Sequence, residues 1–393
     1  MGQSLNNGAG CSVWSVNCRS RCASRTRERL SNVDNVILLV ILVTVGGLSW
    51  LCTGWLAHRD ATVGFLDLPN ERSLHQIPTP RTGGLAIMGS VLVGLVALAL
   101  AGAWPTSQGP TGWFGWPPSV WIVGLTATLA MVSFLDDRRG LPIVVRFGVH
   151  VTAAVMLTVG AQLAVSQIDV PRIGTFALGW LSLIVSIAFL VWMTNLYNFM
   201  DGMDGFAAGM TLLGAGFLAS LAWRGEHRPI LVLSLLLAFA ALGFLVHNFP
   251  PAKIFMGDVG SVPIGFLIGA VILLGCRDGL FTVWVPLMLF SPFIVDATAT
   301  LVRRAARGER VWVAHRTHYY QRLVLLGWGH RKTVLAEYGL MMFCGALAWA
   351  YQIADETVRP FILGFWGLLM VSAMWAVHVA ERSVRQLRTE HKG

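Results

Sequence analysis

Acidic side chains are scarce in this chain, 20 among 393 residues, yet several sit in tight groups beside apolar runs. The densest is Asn195-Leu-Tyr-Asn198-Phe-Met-Asp201-Gly-Met-Asp204-Gly205. Asn198, Asp201 and Asp204 recur at a spacing that puts them on one face of a helical turn. Gly202 and Gly205 between them let backbone come close to a ligand. Carboxylate plus amide oxygen is a ligand set for Mg²⁺, an ion that keeps several waters and shares its sphere with substrate phosphates. The plainer reading is an Asp-Gly turn joining two helices. Asp136 and Asp137 end another apolar run, followed by Arg138 and Arg139. Paired carboxylates beside a bilayer are costly unless a cation or donors compensate them, although a solvated helix end with its own arginines would suffice. Met256-Gly-Asp258-Val-Gly-Ser261 opens a further run. Free N–H groups there suit an anion, or Asp258 or Ser261 simply caps a helix. Phe255 could stack a base or sit as an interfacial aromatic. His315-Arg-Thr-His318 lies among Arg303, Arg304, Arg307, Arg310 and Arg322. Arg and His donors suit a diphosphate, and the competing reading is a basic segment lying on anionic lipid. Asp296 is expected to pair with Arg303 or Arg304.

The elements that must position these groups are membrane spans. Hydrophobic residues make up 55% of the chain and charged residues 12%, and mean hydropathy is +0.64. Apolar runs, each about the length needed to cross roughly 30 Å of hydrocarbon, recur from Asp34 to Glu381. These values exclude a soluble enzyme and a disordered chain, and no ten-residue alternation of a membrane barrel is present. The fold class is all-α, a polytopic transmembrane helical bundle of about eleven spans, with ten as the alternative count. The expected spans are 34–57, 83–104, 117–135, 142–165, 177–198, 205–223, 229–247, 260–276, 279–302, 333–353 and 358–380. Three regions follow: an Arg-rich N-terminal extension over 1–33, a transmembrane domain over 34–380 and a basic tail over 381–393. Six scattered cysteines form no CxxC pair and no disulfide framework.

One alternating set of loops, 58–82, 136–141, 199–204, 248–259, 303–332 and the tail after Glu381, holds 18 Lys and Arg against 5 in the opposite loops. That bias makes the first set cytoplasmic. Arg19, Arg21, Arg25, Arg27 and Arg29 run against it, because parity puts the N-terminal extension outside. The net charge of +9 belongs with this loop bias rather than with nucleic-acid binding. Nearly every polar cluster falls on the cytoplasmic side, whereas a transporter needs polar groups near the midplane. Carboxylates for Mg²⁺, an aromatic for a base and Arg/His donors for phosphate at one membrane surface match phosphoryl transfer between a soluble nucleotide and a lipid.

These motifs, with Asp67-Leu-Pro-Asn70-Glu-Arg72-Ser-Leu-His75 and Pro78-Thr-Pro-Arg81-Thr-Gly-Gly84, resemble those of the polyprenyl-phosphate N-acetylhexosamine-1-phosphate transferases, in family order over about 67–318. Within that family the start and the His-Arg-Thr-His loop look more like the branch initiating O-antigen and wall polysaccharides. The resemblance implies transfer of a HexNAc-1-phosphate from a UDP-N-acetylhexosamine to undecaprenyl phosphate, with UMP released, at the bacterial inner membrane. It implies Mg²⁺ as cofactor, with Mn²⁺ as a substitute, held by Asp258 and Asn198. Asp136 and Asp137 would deprotonate or orient the lipid phosphate. Asp201, Asp204, Asn248 and Phe255 would bind the nucleotide, and His315, Arg316 and His318 the diphosphate or sugar. Asn70, Arg72, His75 and Arg81 would complete the cytoplasmic wall. Membrane lipid is the other partner, and a homodimer is compatible with the sequence. The alternatives are a phospho-N-acetylmuramoyl-pentapeptide transferase and, from another class, a lipid-linked sugar transporter.

Overall fold

The computed structural model describes residues 35–58, 66–69, 74, 77–104, 111–310 and 315–390. The 1–33 extension and Asn70, Arg72 and His75 lie outside the described residues. Among the described residues, ten helical segments are long and apolar enough to cross a membrane. They are α1 (Asn35–His58), α2 (Gly83–Leu100), α3 (Pro118–Arg139), α4 (Ile143–Gly160), α5 (Leu181–Met200), α6 (Phe206–Arg224), α7 (Arg228–Asn248), α8 (Asp258–Arg277), the segment Tyr319–Ile353 and, from Arg359, the last helix. The span expected over 279–302 is broken. It comprises α9 (Trp284–Leu289) and α10 (Ser291–Ala306), which meet at Phe290. Pro286 and Pro292 flank the break, and neither can donate to a continuous hydrogen-bond ladder. The Tyr319–Ile353 segment is also composite: α11 (Tyr319–Leu323), a π turn over Val324–Trp328, then α12 (Gly329–Ile353).

The last helix, α13 (Arg359–Glu390), runs on through most of the expected tail. Arg322 of α11 grips Glu381 of α13 through Nε and Nη2 at 2.6 and 2.5 Å. Two small hairpins complete the fold: β1 (Leu66–Asp67) with β2 (Thr79–Pro80), and β3 (Gln167–Val170) with β4 (Gly174–Ala177), both antiparallel. The second lies in a stretch expected to be plain loop. It is tied down where the Trp284 indole N–H donates to the Asp169 carbonyl at 2.5 Å and Arg172 donates to the Thr357 carbonyl at 3.1 Å.

The core centres on α8, which is apolar all round and almost wholly buried between α2, α3, α5 and α7; a helix apolar on every face belongs inside a bundle. In lipid, helices associate through close van der Waals packing rather than hydrophobic expulsion. Small residues supply that closeness here. A Cβ on Gly84 of α2 would lie 2.2 Å from the Gly260 nitrogen of α8, and one on Gly265 of α8 would lie 2.5 Å from the Met193 carbonyl of α5. At the periphery, α13 turns Phe361, Leu368 and Trp375 outward.

Candidate active site

The site grows from the turn that starts α8. Phe255 N–H donates to the Pro80 carbonyl at 2.7 Å, and the Gly83 and Gly84 N–H groups donate to the Phe255 and Met256 carbonyls at 2.9 and 2.8 Å. The Pro-Thr-Pro-Arg-Thr-Gly-Gly stretch thereby lies like an extra strand along residues 255–256. Gly257 follows with φ of +71° and its α-carbon against the Arg81 carbonyl, where a side chain would collide at 2.1 Å. That left-handed residue turns the chain into α8 and aims Asp258 at the end of α5. There Asn198 Nδ2 donates to Asp258 Oδ1 at 2.8 Å and to Ser261 Oγ at 3.1 Å.

Asp136 and Asp137 are adjacent in sequence but serve different spaces. Gly140, left-handed at φ of +64°, ends α3 in the usual helix-stop manner. The Asp136 carboxylate then accepts Leu141 N–H at 2.6 Å and Arg146 Nη1 at 2.9 Å. The same Arg146 nitrogen reaches Asp258 Oδ2 at 3.4 Å, so one guanidinium bridges two carboxylates from distant segments. Asp137 Oδ2 accepts Val259 N–H at 3.2 Å, and Arg81 donates to the Asp137 carbonyl at 2.9 Å.

Asp201 accepts a hydrogen bond from Gly257, but burial, then the nearby charge of Asp258, push its carboxyl well above the ordinary carboxylate range. Asp204 accepts Ala252 N–H at 3.0 Å and meets His330 Nδ1 at 3.0 Å. His330 escaped the sequence reading, since a lone histidine at the start of a helix carries no spacing signal. Asn248 is buried, taking Gly205 N–H at 3.0 Å and donating to the Ile254 carbonyl at 2.8 Å. Both ends of its amide are thus occupied by backbone, and it braces the Asp204–Gly205 turn rather than lining a cavity.

Two cavities meet at this assembly. A polar one of about 230 Å³ is lined by Asp67, Arg81, Asp137, Asn198, Asp201, Asp204, Phe255, Asp258, Gln321 and His330, among others. A largely apolar one of about 710 Å³ runs between α3, α4, α5 and α8, with Asp136, Arg146, Asn198 and Asp258 at its polar end. Ile143 and Phe147 of α4 and Ile184 of α5, on its rim, are each more than half exposed, so it opens sideways. Asn198 and Asp258 belong to both walls.

The His315–His318 loop is not part of either cavity. His318 is buried, its Nδ1 3.3 Å from Asp296 Oδ1, while Asp296 also accepts the Tyr319 and Tyr320 N–H groups at 2.8 and 3.1 Å. Asp296 therefore caps α11 instead of pairing with Arg303 or Arg304. Those arginines bind the Thr317 carbonyl at 2.9 Å and Glu309 at 2.9 Å. Burial, then the charges of His318 and Arg304, hold His315 down at about 4. Arg316 lines a separate basic recess.

Among the described residues no three His, Cys, Asp or Glu side chains form a metal cage. The polar cavity nonetheless carries five carboxylates, Asp67, Asp137, Asp201, Asp204 and Asp258, against Arg81 and His330 in the same lining, with Arg146 reaching Asp258 from the groove side. Hard oxygen donors in such excess suit a divalent ion that keeps water and takes phosphate oxygens.

A family model described as glycosyl transferase family 4 matches residues 119–276. The chain is 32% identical over 309 residues to a "Probable undecaprenyl-phosphate N-acetylglucosaminyl 1-phosphate transferase" of Bacillus subtilis, covering 78% of this chain and 82% of the relative. It is 33% identical over 341 residues to a decaprenyl-phosphate N-acetylglucosaminephosphotransferase of Mycobacterium tuberculosis, covering 79% and 82%. To a phospho-N-acetylmuramoyl-pentapeptide-transferase of a Synechococcus species it is 30% identical over 299 residues, covering 70% and 79%. With identity of this extent on a polytopic helical bundle, the chain belongs to the polyprenyl-phosphate N-acetylhexosamine-1-phosphate transferases of glycosyl transferase family 4.

Proposed function

We propose that the protein transfers HexNAc-1-phosphate from a UDP-N-acetylhexosamine to undecaprenyl phosphate with the help of Mg²⁺, yielding undecaprenyl-diphosphate-HexNAc and UMP. The reaction takes place at the cytoplasmic face of a bacterial plasma membrane and initiates a surface polysaccharide such as O-antigen or a wall polymer. The observation that carries this reading is the shared wall of the two cavities. An apolar groove open to the side suits a polyprenyl chain, an acidic polar chamber suits a metal-bound nucleotide sugar, and Asn198 and Asp258 stand where the two would touch.

An oxygen of the lipid phosphate is already a good nucleophile near neutral pH. It attacks the β-phosphorus in line, the new P–O bond forms, and the bridge to the α-phosphorus breaks with its oxygen leaving on UMP. Arg146 and Asp136 orient the lipid phosphate from the groove side, and Arg81 offsets charge from the chamber side. Asn198 holds the Asp258 carboxylate in place. Asp137 is fixed by Val259 N–H, so its carboxylate faces the reacting phosphates without swinging. Asp258 and Asn198 would hold the Mg²⁺, and the bound ion would supply charge neutralisation on the diphosphate. The names of the relatives make UDP-GlcNAc the first donor to test.

The test is UMP release by detergent-purified protein given undecaprenyl phosphate and a panel of UDP-sugars, with Mg²⁺ or with EDTA. Release should require lipid and metal together. Folded protein that releases no UMP with any donor would overturn the proposal.

A further inference from the structure

The basic motif around residue 316 does not reach the acidic chamber. It helps form a recess of about 340 Å³ on the far side of α11, into which Arg303, Arg304, Arg307, Arg316, Arg322 and Arg382 converge. Only two carboxylates, Glu309 and Glu381, share the lining, so four positive charges are uncompensated. Like charges brought together this closely repel unless an anion sits among them. The paired arginines are not saturated. Arg304 and Arg322 are more than nine-tenths buried, yet Arg304 Nε and Arg322 Nη1 have no hydrogen-bond partner, and a buried guanidinium N–H left unpaired is costly.

The recess is separate from the catalytic chamber. Gln321 and Arg322 are neighbours on α11, and the first lines the chamber while the second lines the recess. Its depth in the membrane is also defined by its neighbours. Arg303, Arg304 and Arg307 come from the end of α10, Arg316 and Arg322 from the loop before α11 and from α11, and Arg382 from α13 near the end of its spanning stretch, where Val302, Leu325, Trp375 and Val379 are exposed apolar side chains within a few residues of them. Arginines next to outward-facing aliphatic and indole groups sit at headgroup level. Planar guanidinium groups converging at that level match phosphate oxygens.

We propose that this recess is a binding site for a phosphate group, that of an anionic membrane lipid headgroup or of a free phosphate ester, distinct from the site of transfer. The full chain in detergent is titrated with phosphatidylglycerol and with phosphatidylcholine, and lipid retention is read by native mass spectrometry. Arg307→Gln/Arg382→Gln serves as the variant, since both positions are exposed and the substitutions leave the fold alone. At about a factor of five per arginine near an anionic surface, the variant should bind phosphatidylglycerol roughly 25-fold more weakly, with phosphatidylcholine little affected. Inorganic phosphate and UMP are added as competitors. Failure of both to displace the lipid assigns the headgroup as the source. Displacement by inorganic phosphate, with the signal lost in the variant, supports the site and assigns a free phosphate. Unchanged phosphatidylglycerol retention in the variant overturns the proposal. So does a raised KM for the UDP-sugar with lipid retention intact, because the recess would then belong to the donor. Lipid retention is read without turnover, so it stands or falls independently of the transferase reading.

Discussion

Replacing Gly84 by alanine should cripple catalysis without a residue of the chamber being touched. The added methyl would sit 2.2 Å from the Gly260 nitrogen, 2.3 Å from its α-carbon and 2.9 Å from the Met256 carbonyl, where ordinary contact begins at 3.4 Å. All three atoms are backbone, so no rotamer change can make room, and α2 and α8 must part by about 1 Å. That separation stretches the Gly84 N–H to Met256 carbonyl bond, now 2.8 Å, and shifts the turn that carries Asp258. Overpacking of this sort costs about 1–3 kcal/mol of stability, and about 1 Å of misplacement at a reacting centre costs about a hundredfold in rate. Initial rates of UMP release from the purified protein should therefore fall by about two orders of magnitude while the protein still inserts and purifies. Gly89→Ala, on the same helix with nothing within 4 Å of the new methyl, is the control and should work at the wild-type rate. A Gly84→Ala enzyme running at more than half the wild-type rate would refute the claim that α2–α8 contact sets the position of Asp258.

Three further outcomes follow from the same structure. Ala188→Trp, which fills the apolar groove, should raise KM for the polyprenyl phosphate several-fold and leave KM for the UDP-sugar unchanged; the reverse pattern would dissociate the groove from the lipid. Asn248→Leu strands Gly205 N–H and the Ile254 carbonyl at about 1–3 kcal/mol each. A Tm drop of several degrees with unaltered UMP affinity in the remaining folded protein is expected, and weaker UMP binding with no Tm change would contradict it. His315 titrates at about 4 in the folded chain against an ordinary 6.5. The unfolded chain therefore takes up the extra proton, and stability gained from this group rises between about pH 4 and 6.5 and is flat above. The Tm advantage of wild type over His315→Gln should widen from pH 5 to pH 7, and a constant difference would count against the buried, uncharged ring.

What the sequence could disclose depended on whether a property was local. Span positions were legible because a bilayer demands apolar length, a quantity carried by composition alone. The break at Phe290 was not, because hydropathy counts Pro286 and Pro292 as mild interruptions while the hydrogen-bond ladder cannot tolerate them. Asp137, Asn198, Asp201, Asp204 and Asp258 do converge on one chamber, as their crowding beside apolar runs suggested. Asn248 looked like a ligand because nothing local reveals that both ends of an amide are already engaged by Gly205 and Ile254. His330 reaches Asp204 from 126 positions along the chain, a relation that only the packed bundle creates. The basic loop shows its donor chemistry in its composition, but which side of α11 it faces depends on Asp296 capping that helix.

The sideways mouth between α4 and α5 has a consequence for what the enzyme can measure. A polyprenyl substrate need never leave the bilayer, which would cost roughly 0.8 kcal/mol for every methylene-sized piece brought into water. On the proposed reading the phosphate enters first, and only the stretch nearest it would occupy a groove of about 710 Å³. The rest of the tail would stay among lipids. An enzyme working in this way would gauge the height of a headgroup and the shape of the first few isoprene units, and would be blind to how long the rest is.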